Sequence, residues 1–426
     1  MISSAESNKT KLMDAIFHDY AGPAFALRLW DGWQWTSPGH KPPRCTIVVS
    51  NPEALASLVS HPDEVSLGEA FIHDDLDIEG DVFSGFAIGE HLFSRPQNLR
   101  RRVAMKLAAS FFSAGQWIKH GAENSKRRDR ASIAYHYDQP VAFFEPWLGP
   151  SMVYSCAYFR SEEDTLEAAQ EQKLEHICRK LRLQQGERFL DIGCGWGSLA
   201  LHAASRHGAV TRGITLSHQQ AETAQQRIKS CGLSGRCAAE LRDYRDLNEW
   251  HESFDKIASV GMYEHVGLKN LDQYFGVVRR LLRPGGLLLN HGIARNRRAP
   301  IHANSFIARY VFPTGKLVTL DQTLHAAEAQ GLEVRDVEDL REHYAMTLRL
   351  WVNRLRSNAD KLLSLVPRTT YRIWLLYMAG SAAAFSRGDI AVFQVLLSRP
   401  DHGRSGLPLT REDLYATSME REPVEV

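Results

Sequence analysis

The chain has 426 residues and a formal net charge of +1. That length implies two or three domains with ample core, and the near-neutral balance gives no global field to select nucleic acid. Six cysteines (Cys45, Cys156, Cys178, Cys194, Cys231, Cys237) show no CxxC or CxxH spacing, which argues against a zinc or disulfide framework and fits a reducing cytoplasm.

Residues 1–94 mix short strand-like runs, FALRLW and RCTIVVS, with a helix capped near Asn51 (NPEALASLVS). The segment LGEAFIHDDLDIEGD, Leu67 to Asp81, is acidic, and its LDIEG core alternates like a strand. This region reads as a small α+β accessory domain with no chemistry of its own. Residues 95–130 carry ten Lys or Arg against Glu123 and Asp129, with Leu99, Val103, Leu107 and Phe111 at helical spacing. Two readings fit: an amphipathic helix on an anionic membrane surface, or a solvated linker with a helix packed on one domain. Each base near such a surface contributes about 1 kcal/mol.

Residues 131–400 form the catalytic region, and 401–426 a polar tail. FLDIGCGWG, Phe189 to Gly197, runs from an apolar strand ending in Asp191 into a turn with Gly193, Gly195 and Gly197, then a helix (SLALHAASRHG). Strand, tight turn and helix open a Rossmann-like α/β domain. The GxGxG spacing lets backbone approach a ligand that carries no phosphate. It resembles the turn of S-adenosylmethionine-dependent methyltransferases. VTRGITLS reads as the second strand, FDKIASV as the fourth and GGLLLNHGI as the fifth, with a helix-rich stretch from about 303 to 398 interrupting or extending this core. IWLLYMAGSAAAF, Ile373 to Phe385, is too short to span a bilayer and reads as a buried helix. The N-terminus lacks the apolar core of a secretion signal.

Ligands of such sheets bind at the carboxyl ends of the strands. Strand two is followed by Thr215, Ser217 and Gln220, where an acidic residue often meets ribose hydroxyls. Strand three is followed by Asp243, placed to accept from an adenine amino group, and by Tyr244, placed to stack on the ring. Strand four leads to Glu264 and His265 in GMYEHVG, and strand five to His291. Glu264 and His291 are expected to converge on one crevice as an acid–base pair, although a Glu at a helix start is more often a cap. His265, Cys178, Cys231, Cys237 and Cys194 read as structural. Upstream, Tyr154, Ser155 and Cys156 in MVYSCAYF form either a lid over a cofactor or a buried turn.

Together MVYSCAYF, LDIGCGWG, GITLSHQQ, DYRDL, GMYEHVG, YVFPTGKL and FQVLLS, in this order across residues 131–398, resemble the cyclopropane-fatty-acyl-phospholipid synthases. The resemblance implies a class I methyltransferase domain with a helical, lipid-covering insertion that builds an acyl tunnel, behind an N-terminal lipid-binding domain. It implies S-adenosylmethionine and a bicarbonate ion as cofactors. Cys156, Glu264, His291, Tyr344 (from HYAMTLRLW) and the backbone of Ile293 match the residues that surround bicarbonate in the family. Tyr154, Ser155, Asp191, Gly193, Gly195, Gly197, Thr215, Ser217, Gln220, Asp243 and Tyr244 are the cofactor positions.

The implied reaction methylates a cis alkene of a membrane phospholipid. It leaves a carbocation that aromatic faces such as Tyr344 and Phe312 stabilise, and closes a ring when the new methyl loses a proton to bicarbonate. Glu264 beside an anion is expected to share a proton or to have a raised pKa. The alternative outcome is a methyl-branched lipid or another methylated acceptor. A homodimer on the cytoplasmic face of an anionic membrane is the expected setting. Two departures, HYDQPV for HYDxGN and Gly149 for an aspartate, bear on substrate entry.

Overall fold

The computed structural model describes residues 2–39, 41–55, 63–93, 139–299, 305–311 and 317–415. The basic segment 95–130, the HYD motif at 136–138, Phe312 and the last residues of the tail lie outside them. The chain folds as two compact units. The first takes 1–136, 301–313 and 355–383; the second takes 137–300, 314–354 and 384–426.

The first unit holds a four-stranded sheet in the order β2-β1-β3-β4: Gln34–Thr36 (β2), Phe25–Arg28 (β1), Cys45–Val49 (β3) and Leu76–Gly80 (β4). β1 and β3 are parallel and the other two pairings antiparallel. Asn51 does cap: its Oδ1 accepts from Ala54 N at 2.7 Å. The acidic segment divides at Asp74, since LGEAFI lies in the helix Glu64–Ile72, capped by Asp63, while LDIEG forms β4. Phe17, Phe25 and Trp35 pack at edge or tilted angles in the core beside this sheet.

The run IWLLYMAGSAAAF lies in the helix Arg368–Arg387, and Trp374, Met378 and Ala379 in it are buried. Arg372, one turn into that helix, is only 5% exposed. It lies over the Phe71 ring, 4.0 Å from the centroid, and donates to Phe71 O at 2.5 Å and Leu76 O at 2.8 Å. It also pairs with Asp74 and Asp77. Among the described residues, no helix is long and apolar enough to cross a membrane.

The second unit is built on a seven-stranded sheet in the order β10-β11-β9-β8-β5-β6-β7. β5 (Arg188–Ile192), β6 (Val210–Thr215), β7 (Cys237–Leu241), β8 (Phe254–Val260) and β9 (Leu282–Arg295) run parallel. β11 (Ile390–Ser398) is antiparallel to both β9 and β10 (Glu333–Asp339). The chain leaves β5 for β6 on one side and returns through β8 on the other, so the crevice opens at the carboxyl ends of β5 and β8.

The helix-rich stretch after residue 303 is therefore corrected in one respect: it also carries the last two strands, β10 and β11. The burial of β10 alternates residue by residue, but its inner face carries Asp336 and Glu338 beside Val334 and its outer face carries Val337, so hydropathy prints no two-residue period. The helices Arg341–Ser357, Ala359–Leu363 and Arg368–Arg387 are inserted between these strands.

Arg372 makes a prediction about the first unit. Arg372→Met keeps an apolar stem but strands two backbone carbonyls and takes a cation from Asp74 and Asp77, of which Asp74 keeps Arg368. It is expected to cost about 3 kcal/mol of stability, seen as an earlier denaturant midpoint with an unchanged m-value. An unchanged midpoint would show that the buried guanidinium adds nothing net.

Candidate active site

β5 ends at Ile192, and the next turn places Gly193, Gly195 and Gly197 at φ of +84°, +53° and +82°. Only glycine enters this region without strain. A Cβ on Gly193 would lie 2.7 Å from Met262 Cβ, whereas one on Gly195 would meet nothing within 4 Å. The first glycine thus admits a neighbouring loop and the second leaves bare backbone facing open space. The turn is held by Gly193 N and Cys194 N, both donating to Ile214 O at 2.9 Å. Arg227 latches it from outside, donating to Trp196 O and Ser151 O.

Asp191 is buried beside this turn, and loss of hydration pushes its carboxyl up to about 7. Its charge partner is Lys173, from the helix Leu166–Lys180, which is 2% exposed and is drawn down to about 8 by burial. Lys173 Nζ donates to Ser155 Oγ at 2.9 Å. Gln170, one turn earlier, donates to Ser155 O at 3.0 Å. Cys156 follows, fully buried, with Sγ directed at Ala157 O (3.2 Å) and Leu340 O (3.7 Å). Burial raises that thiol far above its ordinary range, so it stays protonated. The YSC segment is therefore a fastened, buried element of the crevice floor.

Tyr154 joins an aromatic wall: its ring lies 5.4 Å from Trp351 and 5.6 Å from Trp147, while Phe144 meets Trp196 at 5.0 Å. Tyr344 extends the wall, 6.1 Å from Trp351 and 4.7 Å from Phe385. Gly149, the departure from aspartate, sits at φ +81°, and a Cβ there would lie 2.7 Å from Glu167 Oε1. Glu167 is held by Arg354 at 2.6 and 2.7 Å, so Glu167 already occupies the space and the cation that an acidic side chain at 149 would need.

At the next strand end Thr215 Oγ1 donates to Gln220 Oε1 at 2.7 Å, and Ser217 caps the helix His218–Ser230. Asp243 caps the short 3-10 turn Tyr244–Glu249 and is gripped by Arg245, whose hydrogen bonds lower its pKa. Tyr244 meets Tyr274 edge-on at 5.5 Å. These residues line successive strand ends; Ser217 and Asp243 in addition have structural duties.

β8 delivers Glu264 in the 3-10 turn Tyr263–His265. Its Oε1 accepts from Ile293 N at 2.8 Å, so Glu264 and the Ile293 backbone do meet. Its Oε2 is sealed from solvent and has no protein partner. Burial pushes the carboxyl up to about 7. His291 lies two residues before Ile293 on β9, opposite Val260 at the end of β8. Its Nδ1 stands 3.2 Å from Gln394 Nε2, and its Nε2 is buried without a partner. Burial, then the charges of Lys173 and Lys180, hold the ring neutral, with its pKa down to about 3. His265 is exposed.

Lys173, Arg227, Trp351 and Gln394 were not singled out from the sequence. Lys173 sits in EAAQEQKLEHICRK, which reads as a solvated helix and gives no sign of burial. Gln394 did leave a trace, as the one polar residue inside the apolar run VFQVLL. Cysteine spacing gave no metal pattern, yet the fold brings Cys178, His202 and His207 together, with ligand atoms within 4.8 Å of one another. Glu175 Oε2 stands 3.2 and 3.0 Å from the Nε2 atoms of the two rings, which satisfies them without an ion.

A parallel sheet with one inserted antiparallel strand, and a triple-glycine turn after its first strand, define a class I S-adenosylmethionine-dependent methyltransferase. The chain belongs to the mycolic acid cyclopropane synthetase family, whose family model matches residues 124–395. It is 43% identical over 396 residues to a probable fatty acid methyltransferase of Pseudomonas putida, covering 91% of this chain and 95% of that one. It is 38% identical over 275 residues to the cyclopropane-fatty-acyl-phospholipid synthase of Escherichia coli K12, covering 65% and 69%. The solved structure of mycolic acid cyclopropane synthase CmaA1 complexed with SAH and CTAB matches at a TM-score of 0.58 and 33% identity, over 63% of this chain and 97% of that one. The protein is thus a methyltransferase that uses S-adenosylmethionine to modify lipid acyl chains.

Glu264 makes the site pH-sensitive in stability. Its carboxyl ordinarily titrates near 4.5 and in the folded protein near 7. The proton is bound more tightly in the folded state. The stability this provides is present in full below about pH 4.5 and is lost as pH rises to about 7. Glu264→Gln, neutral throughout, is expected to exceed the parent in stability at about pH 8 by on the order of 2 kcal/mol and to match it at about pH 4. Urea unfolding at both values checks this; an equal offset at the two would remove the titration account.

Proposed function

We propose that the protein converts cis-unsaturated acyl chains of membrane phospholipids into cyclopropane chains, with a bicarbonate ion bound in the crevice. The observation that carries this reading is the pair of sealed, unpartnered polar atoms, Glu264 Oε2 and His291 Nε2, at neighbouring strand ends. Buried polar atoms are costly unless a ligand or water completes them. Methyl transfer to nitrogen or oxygen has no need of such a pair.

The donor set fits a small oxyanion. Glu264, with its pKa near 7, can carry a proton on Oε2 and offer it to an anion while Oε1 stays on the Ile293 N–H. His291 can offer Nε2–H, and the Cys156 thiol remains neutral, so no second negative charge opposes the ion. When bound, bicarbonate would supply the base that takes one proton from the new methyl group. Bound S-adenosylmethionine would supply the methyl.

The chain's own part is to hold these groups dry and in line. Gly195 leaves backbone open to the cofactor, Ser155 is fastened by Lys173, and Tyr154 and Tyr344 belong to a wall of π-faces that can stabilise a carbocation without attacking it. Methyl branching is the second reading, supported by the fatty acid methyltransferase name of the Pseudomonas putida relative.

We further place the protein as a homodimer on the cytoplasmic face of an anionic bilayer, attached through the basic residues 95–130. Its binding to vesicles containing anionic lipid is then expected to weaken as salt rises, because surface charges are screened beyond about 10 Å at 0.1 M. Salt-independent binding would shift the attachment to apolar insertion.

The reaction is tested in a bacterial host that lacks its own synthase, by gas chromatography and mass spectrometry of its acyl chains. Expression is expected to replace monounsaturated chains with cyclopropane chains. Glu264→Gln and His291→Asn, purified as folded protein, are expected to lower product formation about 100-fold or more. Methyl-branched products would select the second reading, and an unchanged profile from folded, cofactor-binding protein would overturn both.

A further inference from the structure

We propose that Gln394 is a positioning residue that sets the orientation and the tautomer of His291, donating its side-chain N–H to Nδ1 so that the ring proton resides on Nε2. The two residues are direct partners in the antiparallel register of β11 and β9. Gln394 is 0% exposed and His291 1% exposed, and their side chains meet at 3.2 Å between Nε2 of the amide and Nδ1 of the ring.

A neutral imidazole has one donor nitrogen and one acceptor nitrogen, and the partner of one decides the state of the other. The ring is kept neutral by its surroundings. It is fully buried, Lys173, Lys180 and His176 reach it from the helix Leu166–Lys180, and Glu338 of β10 opposes them. With no charged form in play, the proton must choose between two nitrogens. Nδ1 faces the amide. Nε2 faces no protein group.

The direction of the choice follows from what Nε2 must meet, and here the inference rests on the proposed anion site. An oxyanion is acceptor-rich, so a bare lone pair on Nε2 would repel it and an N–H would hold it. Gln394 is suited to this task because its amide can donate to Nδ1 without bringing a charge into the core. A carboxylate at the same place would pull the proton to Nδ1 and expose the lone pair. The same logic governs metal and catalytic histidines, where the outer hydrogen bond fixes the tautomer. The antiparallel strand β11 thereby acquires a role in the site beyond closing the sheet.

The test reads the tautomer directly and does not depend on turnover. The full chain is labelled with 15N-histidine, and two-bond 1H–15N correlations are recorded without substrate, with His291 assigned by its loss in His291→Asn. The parent is expected to show the Nε2–H tautomer. Gln394→Glu is expected to switch it to Nδ1–H, and Gln394→Leu to give a mixture. In turnover both variants are expected to lose 10- to 100-fold in kcat while KM for S-adenosylmethionine stays within twofold.

An Nδ1–H ring in the parent, or a tautomer that neither substitution alters, would overturn the proposal. The parent spectrum requires no variant, so misfolding of Gln394→Glu leaves the test intact. A correct tautomer in a protein that forms no cyclopropane chains would sustain Gln394 and sink the reading of the reaction instead.

Discussion

A lysine ammonium with no access to water organises the second unit. Lys173 is enclosed, hydrogen-bonded to Ser155 and electrostatically coupled to Cys156 and Asp191. Removing such an ion from solvent costs several kcal/mol unless its surroundings repay it. Burial draws the pair toward neutrality from both sides, Lys173 downward and Asp191 upward. The compromise ties three separate stretches of chain to one point: the helix Leu166–Lys180, the YSC segment and the end of β5. The ammonium also reaches His291 on β9 electrostatically and helps to keep that ring neutral. The cofactor side and the acid–base side of the crevice thus share one charge.

The sheet explains why the remaining parts arrive where they do. β5 and β8 are adjacent and parallel, so their carboxyl ends present the glycine turn and the Glu264 turn side by side. β9 extends beyond β8 to residue 295 and so can pass His291 and Ile293 alongside Glu264. β11 runs the other way and places Gln394 opposite His291. The helices Arg341–Ser357, Ala359–Leu363 and Arg368–Arg387 lie in the chain between β10 and the antiparallel β11.

Much of this was legible in the sequence because it rests on local patterns. The strand–glycine–helix unit needs positive φ at Gly193, Gly195 and Gly197, and a GxGxG string announces that directly. Glu264 and His291 could be placed because residues at the ends of parallel strands face the crevice, although His291 proves to lie within β9, which runs on to Arg295; Ile293 came only from the resemblance. What remained hidden depends on distant contacts. Lys173 looks like any solvated helix lysine until the fold buries it against Ser155 and within the field of Asp191. β10 carries charges at most of its outward positions and reads as helix or loop. The grouping of Cys178 with His202 and His207 joins two helices and the residue after the second, and no spacing rule anticipates it. Resemblance helped most where the physics was weakest, as with Tyr344, whose ring and that of Tyr154 both pack on Trp351.

On the proposed function, the electrostatics of the crevice suit a positively charged transition state near a weak base. Ionised carboxylates beside a carbocation would stabilise it but would also capture it. In this site Glu264 is pushed toward its neutral form, Cys156 is held as a thiol and His291 as a neutral ring, so each strong nucleophile is disarmed by burial. The walls are aromatic faces, which attract a cation without forming a bond to it. On the proposed reading the negative charge that the chemistry needs is brought in by the bound ion and held by neutral donors. That division keeps the base weak, local and exchangeable. It also accounts for a buried acid, a buried imidazole and a buried thiol coexisting around a crevice in which all three can remain uncharged.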